Sequence, residues 1–420
     1  MKNNPKIFLG FSEVANVYAN LTKGFKKLKI DYTFITFGEN IRKYDNQDKK
    51  SIFQILFNTL SHRQSLSQGF TKRLYQALHI LVRIPLFIKS IFAYDVFIFN
   101  YNSSFFGLYD LPILKFFNKK IIYCYFGSDG RAPYLSGNYI LENYSLEQIY
   151  SISRNLYSKN QKIEKYANYI LIDLNYTQFF SIKAIDFLHI GIPMDLSDIN
   201  IENNNYKDKS SINIVHAPST KKQKGSMYFS KIIKELQSEG FDINYIELSN
   251  VPNRVVLENL AVCDFVLDEL YSDALMAGLA TEAAYFAKPS VIGGYANFDS
   301  RINEVPPSLY VEPSQIKSAI IKLINDKEFR IELGNRAKQY VKNYRNPEAV
   351  ANRFLRIIND DIPQEWFFDA SKSDYLYGWG VSKEDLKEFL KKYVGKFGRD
   401  GLFLSHNHTL EDKILEFIKE

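Results

Sequence analysis

A cluster of lysines follows an apolar run in 214-IVHAPSTKKQKG-225. The run is predicted to be a buried strand that ends at His216, and Gly225 is expected to open a helix. Backbone N–H groups and several cations would then meet at one helix N-terminus, which suits a dianionic diphosphate. The expected phosphate-side contacts are His216, Ser219, Thr220, Lys221, Lys224 and Gly225. An ordinary solvated loop remains the alternative, because three lysines in such a loop are unremarkable.

A second segment places one carboxylate among small residues, in 264-DFVLDELYSDALMAGLATEAAYFAKPSVIGG-294. A strand is predicted to end at Asp268, and the helix that follows contains Glu282. Small side chains let a ligand approach the backbone, and a glutamate there can accept hydrogen bonds from two ribose hydroxyls. The expected contacts are Gly278, Leu279, Ala280, Thr281 and Glu282. A solvated helix glutamate is the alternative.

Several other functional classes lack their signatures in the 420 residues. GxGxxG, GxxxxGK[ST], GxSxG, HExxH and DxD do not occur, and no metal site is expected. A net charge of +6 is too small for a dedicated nucleic-acid binder. Cys124 and Cys263 lie in apolar runs and are predicted to be buried thiols in a reducing compartment.

Short apolar runs alternate with stretches of helical spacing along the chain, which predicts an α/β fold with two Rossmann-like doubly wound domains facing a cleft. The polar, Asn-rich residues 199–210 are the predicted linker. Residues 1–198 would form the first domain and 211–345 the second. Residues 346–360 would be a helix packing back toward the first domain, and 361–420 a C-terminal extension of unknown role.

Both motif segments resemble those of B-type, two-Rossmann retaining glycosyltransferases, the group often called family 4 or group 1. The run from Glu282 to Pro289 matches the family's donor-ribose motif, and HAPS…KG matches its phosphate loop. Residues 326–344 resemble the helical segment that commonly follows. Residues 6–28 and 95–133 resemble the N-terminal loop and a later strand with its Gly-Ser-Asp-x-Arg continuation.

This resemblance implies transfer of a sugar from a nucleotide-diphosphate sugar to a glycan or lipid-linked acceptor, with retention and without a metal or cofactor. Lys224 and helix N–H groups would stabilise the departing diphosphate. Asp129 and Arg131 would position acceptor or sugar and complete the catalytic candidates. The acceptor-side loop would contain Gly10, Ser12 and Glu13. Enzymes of this kind commonly build bacterial surface polysaccharides.

One departure from the family pattern keeps another function open. Ala274 stands where the family has its first glutamate, eight residues before Glu282. A sugar-nucleotide epimerase of the same architecture, or a sugar-nucleotide-binding relative without turnover, therefore remains the alternative. A structural scaffold is a third hypothesis, which requires that no nucleotide binds.

An amphipathic helix is predicted over Phe70–Ile84, and Pro85 is expected to stop or kink it. Lys72, Gln76, His79 and Arg83 share one face, and Phe70, Leu74, Leu78 and Leu81 share the other. Such a helix either lies on an anionic membrane or packs its leucine face on the sheet with its basic face in water. The latter interpretation is the simpler one.

No apolar run is long enough for a transmembrane helix, so a cytoplasmic location is expected. If the helix lies on an anionic membrane, the protein would be located at the cytoplasmic face of that membrane.

Overall fold

The computed structural model describes residues 5–36, 52–197, 211–295 and 305–419. The predicted linker 199–210 lies outside the described residues. The strands are β1 (Ile7–Phe11), β2 (Tyr32–Thr36), β3 (Val96–Asn100), β4 (Lys120–Cys124), β5 (Tyr169–Ile172), β6 (Lys183–Asp186), β7 (Ile212–His216), β8 (Ile243–Glu247), β9 (Phe265–Leu267), β10 (Ser290–Gly293), β11 (Leu309–Val311) and β12 (Phe367–Asp369).

The helices alternate with these strands. They are α1 (Val17–Lys27), α2 (Ile52–Ser65), α3 (Gly69–Ala93), α4 (Leu111–Phe116), α5 (Gly137–Ile140), α6 (Leu146–Tyr166), α7 (Phe187–Ile190), α8 (Lys221–Lys224), α9 (Ser226–Ser238), α10 (Asn253–Val262), α11 (Gly278–Tyr285), α12 (Ile316–Asn325), α13 (Lys327–Tyr344), α14 (Pro347–Ile358), α15 (Lys383–Phe397) and α16 (His408–Phe417).

Contacts divide the chain into two units. Unit 1 comprises Met1–Gly130, Asn155–Pro193 and Pro347–Ser371, and unit 2 comprises Arg131–Arg154, Met194–Asn346 and Lys372–Glu420. Residues 131–154, expected in the first domain, therefore belong to unit 2. The physical reason is their packing on the C-terminal extension. The Tyr134 hydroxyl donates to the Leu402 carbonyl at 2.8 Å, for example.

Unit 1 is built on a seven-stranded sheet in the order β12-β6-β5-β4-β3-β1-β2. β12, from the extension, pairs antiparallel with β6, and the other neighbours are parallel. Every residue of β1 and β3 is buried, as the unbroken apolar runs predict for strands covered on both faces. The chain reverses its winding direction between β1 and β3, so their carboxyl ends flank a topological switch point.

Unit 2 is built on a five-stranded parallel sheet in the order β11-β10-β9-β7-β8. Its core joins Ile214, Phe265 and Val291 from the strands to Phe229 from α9 and Ile320 from α12. The winding reverses between β7 and β9, which places the second switch point there. The predicted α/β class with two Rossmann-like sheets is thus confirmed.

The first helix of unit 1 is closely packed against α14. Gly24 of α1 meets the backbone of Pro347 so closely that an added Cβ would overlap the Pro347 carbonyl. Val350, Ala351 and Phe354 of α14 complete the core above β1. Residues 346–360, expected to form a helix that packs back on the first domain, contribute α14 to unit 1.

The orientation of α3 differs from the simpler interpretation of its sequence. The helix continues through Pro85 to Ala93, so of the two expected outcomes at Pro85 the stop is wrong, and the kink stays a prediction. His79 is buried and stacks on Phe57 of α2, and Arg83 donates to the Phe105 carbonyl at 3.3 Å. The apolar stripe faces solvent instead, so the interpretation that packs it on the sheet is wrong. By length and composition alone, α3 is one helix of the described residues that could cross a membrane.

We expect Gly24→Ala to destabilise the protein by about 1–3 kcal/mol, because the new methyl group can be accommodated only if α1 and α14 move apart. Thermal unfolding followed by circular dichroism measures the effect. Gly395→Ala in α15 is the matched control, since among the described residues only neighbours in the same helix lie within 4 Å of the added Cβ. That change should raise stability by about 0.5 kcal/mol. Equal melting temperatures for the two variants would contradict the α1–α14 packing.

Candidate functional site

The switch point of unit 2 brings together residues from two loops. Lys224 belongs to the loop after β7, and Asp268 and Glu269 follow β9 directly. Because β7 and β9 are parallel neighbours, their carboxyl ends meet at one edge of the sheet. Ligands of open α/β sheets bind at such an edge.

Lys224 is held by two carboxylates at this edge. Its ammonium forms an ion pair with Glu269 and lies 3.9 Å from Oδ1 of Asp268. The second oxygen of Glu269 accepts a hydrogen bond of 2.7 Å from the indole N–H of Trp379. The Lys224 ammonium is also 5.8 Å from the centroid of that indole ring. Lys224, predicted as a diphosphate contact, is therefore fixed in place by acids and an aromatic ring.

Arg131 contacts the same indole. Its guanidinium makes a bidentate ion pair with Asp273, with N–O distances of 2.6 and 2.8 Å, and lies 5.6 Å from the Trp379 ring centroid. The side chains of Arg131 and Asp273 are only 5% and 1% exposed. A buried pair of this geometry satisfies both charges. Two of the predicted catalytic cations thus lie against one tryptophan of the C-terminal extension.

Backbone contacts hold the Gly-Trp-Gly segment 378–380 in place. The Gly137 N–H donates to the Trp379 carbonyl at 2.8 Å, and the Gly380 N–H donates to the Tyr271 carbonyl at 2.9 Å. Gly380 has φ +71°, which favours glycine, and a Cβ added there would lie too close to Gln223. Sequence reasoning missed Trp379 and Glu269 as site residues, although Gly-Trp-Gly was a visible signal.

Asp268 is a deeply buried acid of the site, with 2% of its surface exposed. Burial raises the pKa of its carboxyl, while Lys224 and the backbone N–H of Ala280 act to lower that pKa. Within the described residues its Oδ2 has no hydrogen-bond partner. Asp268 thus connects the β7–β9 edge to the first turn of α11.

The first residue of α11, the helix that is predicted to bind ribose, is exposed. A Cβ built on Gly278 would have no described residue within 4 Å apart from its neighbours in the helix, whereas Ala280 and Thr281 are buried. Leu279 packs into the core beside β7. Glu282 is partly buried and accepts a hydrogen bond of 3.3 Å from the Asn253 amide. Of the predicted contacts on α11, Gly278 and Glu282 thus remain accessible to a ligand.

The side chain of His216 connects elements inside unit 2. Its Nδ1–H donates to the Leu267 carbonyl at 2.7 Å, so Nε2 is the acceptor and receives the Ser226 hydroxyl at 2.8 Å. Burial lowers the pKa of His216 to about 4, which keeps the ring neutral. His216 therefore ties β7 to β9 and α9, and in this arrangement neither ring nitrogen is available to a phosphate.

The remaining residues of the lysine loop lie at the surface. Ser219 and Thr220 are exposed, and Lys221 forms an ion pair of 2.6 Å with Glu247. Residues 221–224 form the single turn α8, and Gly225, with φ +75°, joins it to α9. A side chain at Gly225 would overlap Leu270. The close packing therefore explains why this position requires glycine.

The predicted acceptor-side residues lie at the switch point of unit 1. Gly10 is buried inside β1, and Ser12 and Glu13 follow that strand. The Glu13 carboxylate accepts the N–H groups of Tyr18 at 3.2 Å and Ala19 at 2.9 Å. Burial raises the pKa of Glu13 to about 7, against the lowering effect of these hydrogen bonds. Glu13 therefore caps α1.

Two further polar residues belong to unit 1. Asp129, a predicted catalytic residue, is buried, and its Oδ1 accepts the Phe126 N–H at 3.0 Å. Asn100 ends β3 with 1% exposure, and within the described residues neither polar atom of its side chain has a hydrogen-bond partner. A buried amide without partners costs about 1–3 kcal/mol. Sequence reasoning missed Asn100, because a single asparagine at a strand end carries no distinctive signal.

Comparisons with known proteins yield structural likenesses only. No family model matches the chain, and no curated protein matches it. The chain is similar to sucrose-phosphate synthase from Thermosynechococcus elongatus, at 12% identity over 85% of this chain and 99% of that one, with a TM-score of 0.49. It is similar to Anabaena HepE in complex with UDP-glucose, at 11% identity over 84% and 99% of the two chains, with a TM-score of 0.46.

A third similar structure is a putative UDP-N-acetylglucosamine 2-epimerase from Listeria monocytogenes, at 9% identity over 87% of this chain and 99% of that one, with a TM-score of 0.43. At these identities and TM-scores, none of them assigns a role to a residue of this chain.

We expect Asp273→Asn to destabilise unit 2 by about 3–5 kcal/mol, because it removes the carboxylate from the buried Arg131 guanidinium. The double change Arg131→Met with Asp273→Leu should recover most of this loss, since no buried charge then remains. Thermal unfolding measures both. Glu388→Gln, which breaks an exposed pair with Lys392, is the control and should cost less than about 1 kcal/mol. A cost for Asp273→Asn as small as the control's would contradict the buried pair.

Proposed function

We propose that this protein is a glycosyltransferase that binds a nucleotide-diphosphate sugar at the switch point of unit 2. The observation that carries the proposal is the place of Lys224, fixed at the carboxyl ends of β7 and β9. The accessible start of α11 and Glu282 follow the same edge. A cation for the diphosphate and a carboxylate for ribose are the two groups that such a ligand needs.

The diphosphate would exchange one anionic partner of Lys224 for another. Glu269 neutralises the Lys224 ammonium, which removes the cost of a partly buried charge without a partner. A bound diphosphate would take over this role, and its charge grows as the sugar departs. Lys224 can therefore stabilise the leaving group without a metal ion. We assign the reaction to the retaining, metal-independent type on the resemblance in the sequence.

The acceptor would bind to unit 1, at the switch point between β1 and β3. Ser12 follows β1 there, and the amide of Asn100 offers a donor and an acceptor to sugar hydroxyls. We propose a glycan or a lipid-linked sugar as acceptor, in the synthesis of surface polysaccharides. The buried thiols of Cys124 and Cys263 fit a reducing compartment such as the cytoplasm.

A sugar-nucleotide epimerase, or a binding protein without turnover, is the second candidate. It is favoured by the pairing of both predicted cations, Lys224 and Arg131, with acids of the 268–273 loop, together with Ala274 in place of a glutamate. Incubation with labelled nucleotide sugars without an acceptor separates the two. An epimerase releases a new sugar nucleotide, whereas a transferase gives at most slow hydrolysis.

The donor site is tested by calorimetric titration with UDP, GDP, ADP, CDP and dTDP. For the nucleotide that binds, Lys224→Met should weaken affinity about ten- to a hundredfold, as expected for a charge-assisted contact of roughly 1.5–3 kcal/mol. Glu269→Gln should bind as tightly as the wild type or more tightly, because it removes the competing anion. Glu282→Gln should weaken binding of the ribonucleotide and reduce its advantage over the 2′-deoxy form.

Lys222→Met is the control for the titration, since Lys222 lies on the same turn but is exposed and contacts Glu142 and the Leu141 carbonyl. Unchanged affinity in Lys224→Met, or equal losses in the two lysine variants, would contradict the phosphate contact. No binding of any of the five nucleotides would contradict the proposed function as a whole.

We expect Asn100→Leu to leave the melting temperature unchanged or raise it, because the Asn100 amide forms no hydrogen bond with any described residue that the change would remove. In transfer assays with a panel of alkyl glycosides, the KM for the acceptor should rise at least tenfold while the KM for the donor stays constant. Asn102→Leu is the control for stability, since the Asn102 amide donates to the Asp129 carbonyl at 3.1 Å. Unchanged acceptor KM in Asn100→Leu would remove Asn100 from the acceptor site.

A further inference from the structure

A continuous apolar ridge runs along the solvent side of α3. We call it the α3 ridge, and it consists of Phe70, Leu74, Leu81, Ile88 and Phe92. These positions differ by four or seven residues, so they fall on one line of an α-helix. Phe70 is 80% exposed and Phe92 is 78% exposed. The 25-residue helix is about 37 Å long, so the α3 ridge is a long apolar line facing water.

Neighbouring elements of unit 1 extend the α3 ridge at both ends. The ring of Phe92 lies 6.2 Å from that of Phe117, which in turn contacts Phe116, itself 80% exposed. α2 packs beside α3, and its last turn is followed by Leu66, which is 76% exposed. Soluble monomers rarely expose contiguous apolar surface of this kind unless something binds there.

The charge around the α3 ridge has one sign. Between Asp48 and Asp95 the sequence contains no aspartate or glutamate. Three exposed basic side chains, Arg63 of α2 and Arg73 and Lys89 of α3, remain for this side, because Lys72 lies on the face of α3 opposite the ridge. An apolar line bordered by cations and free of carboxylates is complementary to a surface that is apolar below and anionic above.

We propose that this face of unit 1 docks on the surface of an anionic lipid bilayer, with α3 lying in the plane of the interface. The face of α3 opposite the ridge carries His79, Arg83 and Leu86, which pack inside unit 1. A helix held in this way by one face contributes its other face to the bilayer and does not cross it. The docking is a property of unit 1 and does not depend on the proposed transfer reaction.

A second copy of the chain is a less favourable occupant. A symmetric dimer through the α3 ridge would bring Arg73 and Lys89 of each copy toward those of the other, with no carboxylate from α2 or α3 to pair with them. Anionic phosphates of a bilayer would instead be attracted by every one of these cations. The charge distribution therefore distinguishes the two occupants.

Co-sedimentation of the full chain with phosphatidylcholine vesicles, with and without one-third phosphatidylglycerol, tests the proposal. We expect binding to the anionic vesicles that weakens at high salt, and at least tenfold weaker binding of the triple variant Phe70→Ser, Leu81→Ser, Phe92→Ser. All three side chains are exposed, so the fold should persist, and circular dichroism checks it. Met227→Ser is the control, since Met227 is 86% exposed but belongs to unit 2.

Three results would overturn the proposal. The first is that the wild-type protein does not bind anionic vesicles at low salt. The second is that the triple variant binds them as well as the wild type does. The third is that the triple variant and Met227→Ser lose vesicle binding equally. Analytical ultracentrifugation adds a fourth. A dimer that forms without lipid and dissociates in the triple variant would assign the ridge to a second copy instead.

Discussion

Buried cations need partners, and this requirement governs the candidate site of unit 2. Lys224 and Arg131 both lie largely out of water, and each is paired with a carboxylate from the loop after β9. An unpaired charge at either position would cost several kcal/mol. One indole, that of Trp379, contacts both cations and also donates to Glu269. The conformations of the β7 loop, the β9 loop and the extension therefore depend on one another.

This dependence explains why the C-terminal extension belongs to unit 2 from Lys372 onward. Trp379 can reach Glu269 only because glycines on both sides let the backbone approach its neighbours, as at Gly380 beside Gln223. The same contacts recruit residues 131–154 to unit 2. A ligand that displaces Glu269 from Lys224 would also disturb the indole. Trp379 of the extension therefore belongs to the candidate site.

The strands and their carboxyl-end residues could be predicted from the sequence, because unbroken apolar runs such as β1 and β3 are typical of buried parallel strands. The same apolar runs led to Lys224 and Glu282 as expected ligand contacts, because each lies in the loop or helix that follows such a run, and their ligand contacts stay a prediction. The hydrogen bond between Trp379 and Glu269 could not be predicted, since 110 residues separate its two partners and no local period encodes their contact. Which face of α3 is buried could not be predicted either. Amphipathic spacing defines two faces, but partners distant in sequence, such as Phe105, decide which face packs inside unit 1.

Trp379 makes a direct measurement possible, because the chain has only two tryptophans. In the variant Trp366→Phe, Trp379 is the sole indole, and its fluorescence can be followed during titration with the five nucleoside diphosphates and their parent nucleosides. If a diphosphate binds at Lys224, one of the diphosphates should change the emission saturably, the parent nucleoside should act far more weakly, and Lys224→Met should abolish the response. Emission that no diphosphate alters, or that responds equally in Lys224→Met, would contradict a diphosphate site at this edge of unit 2.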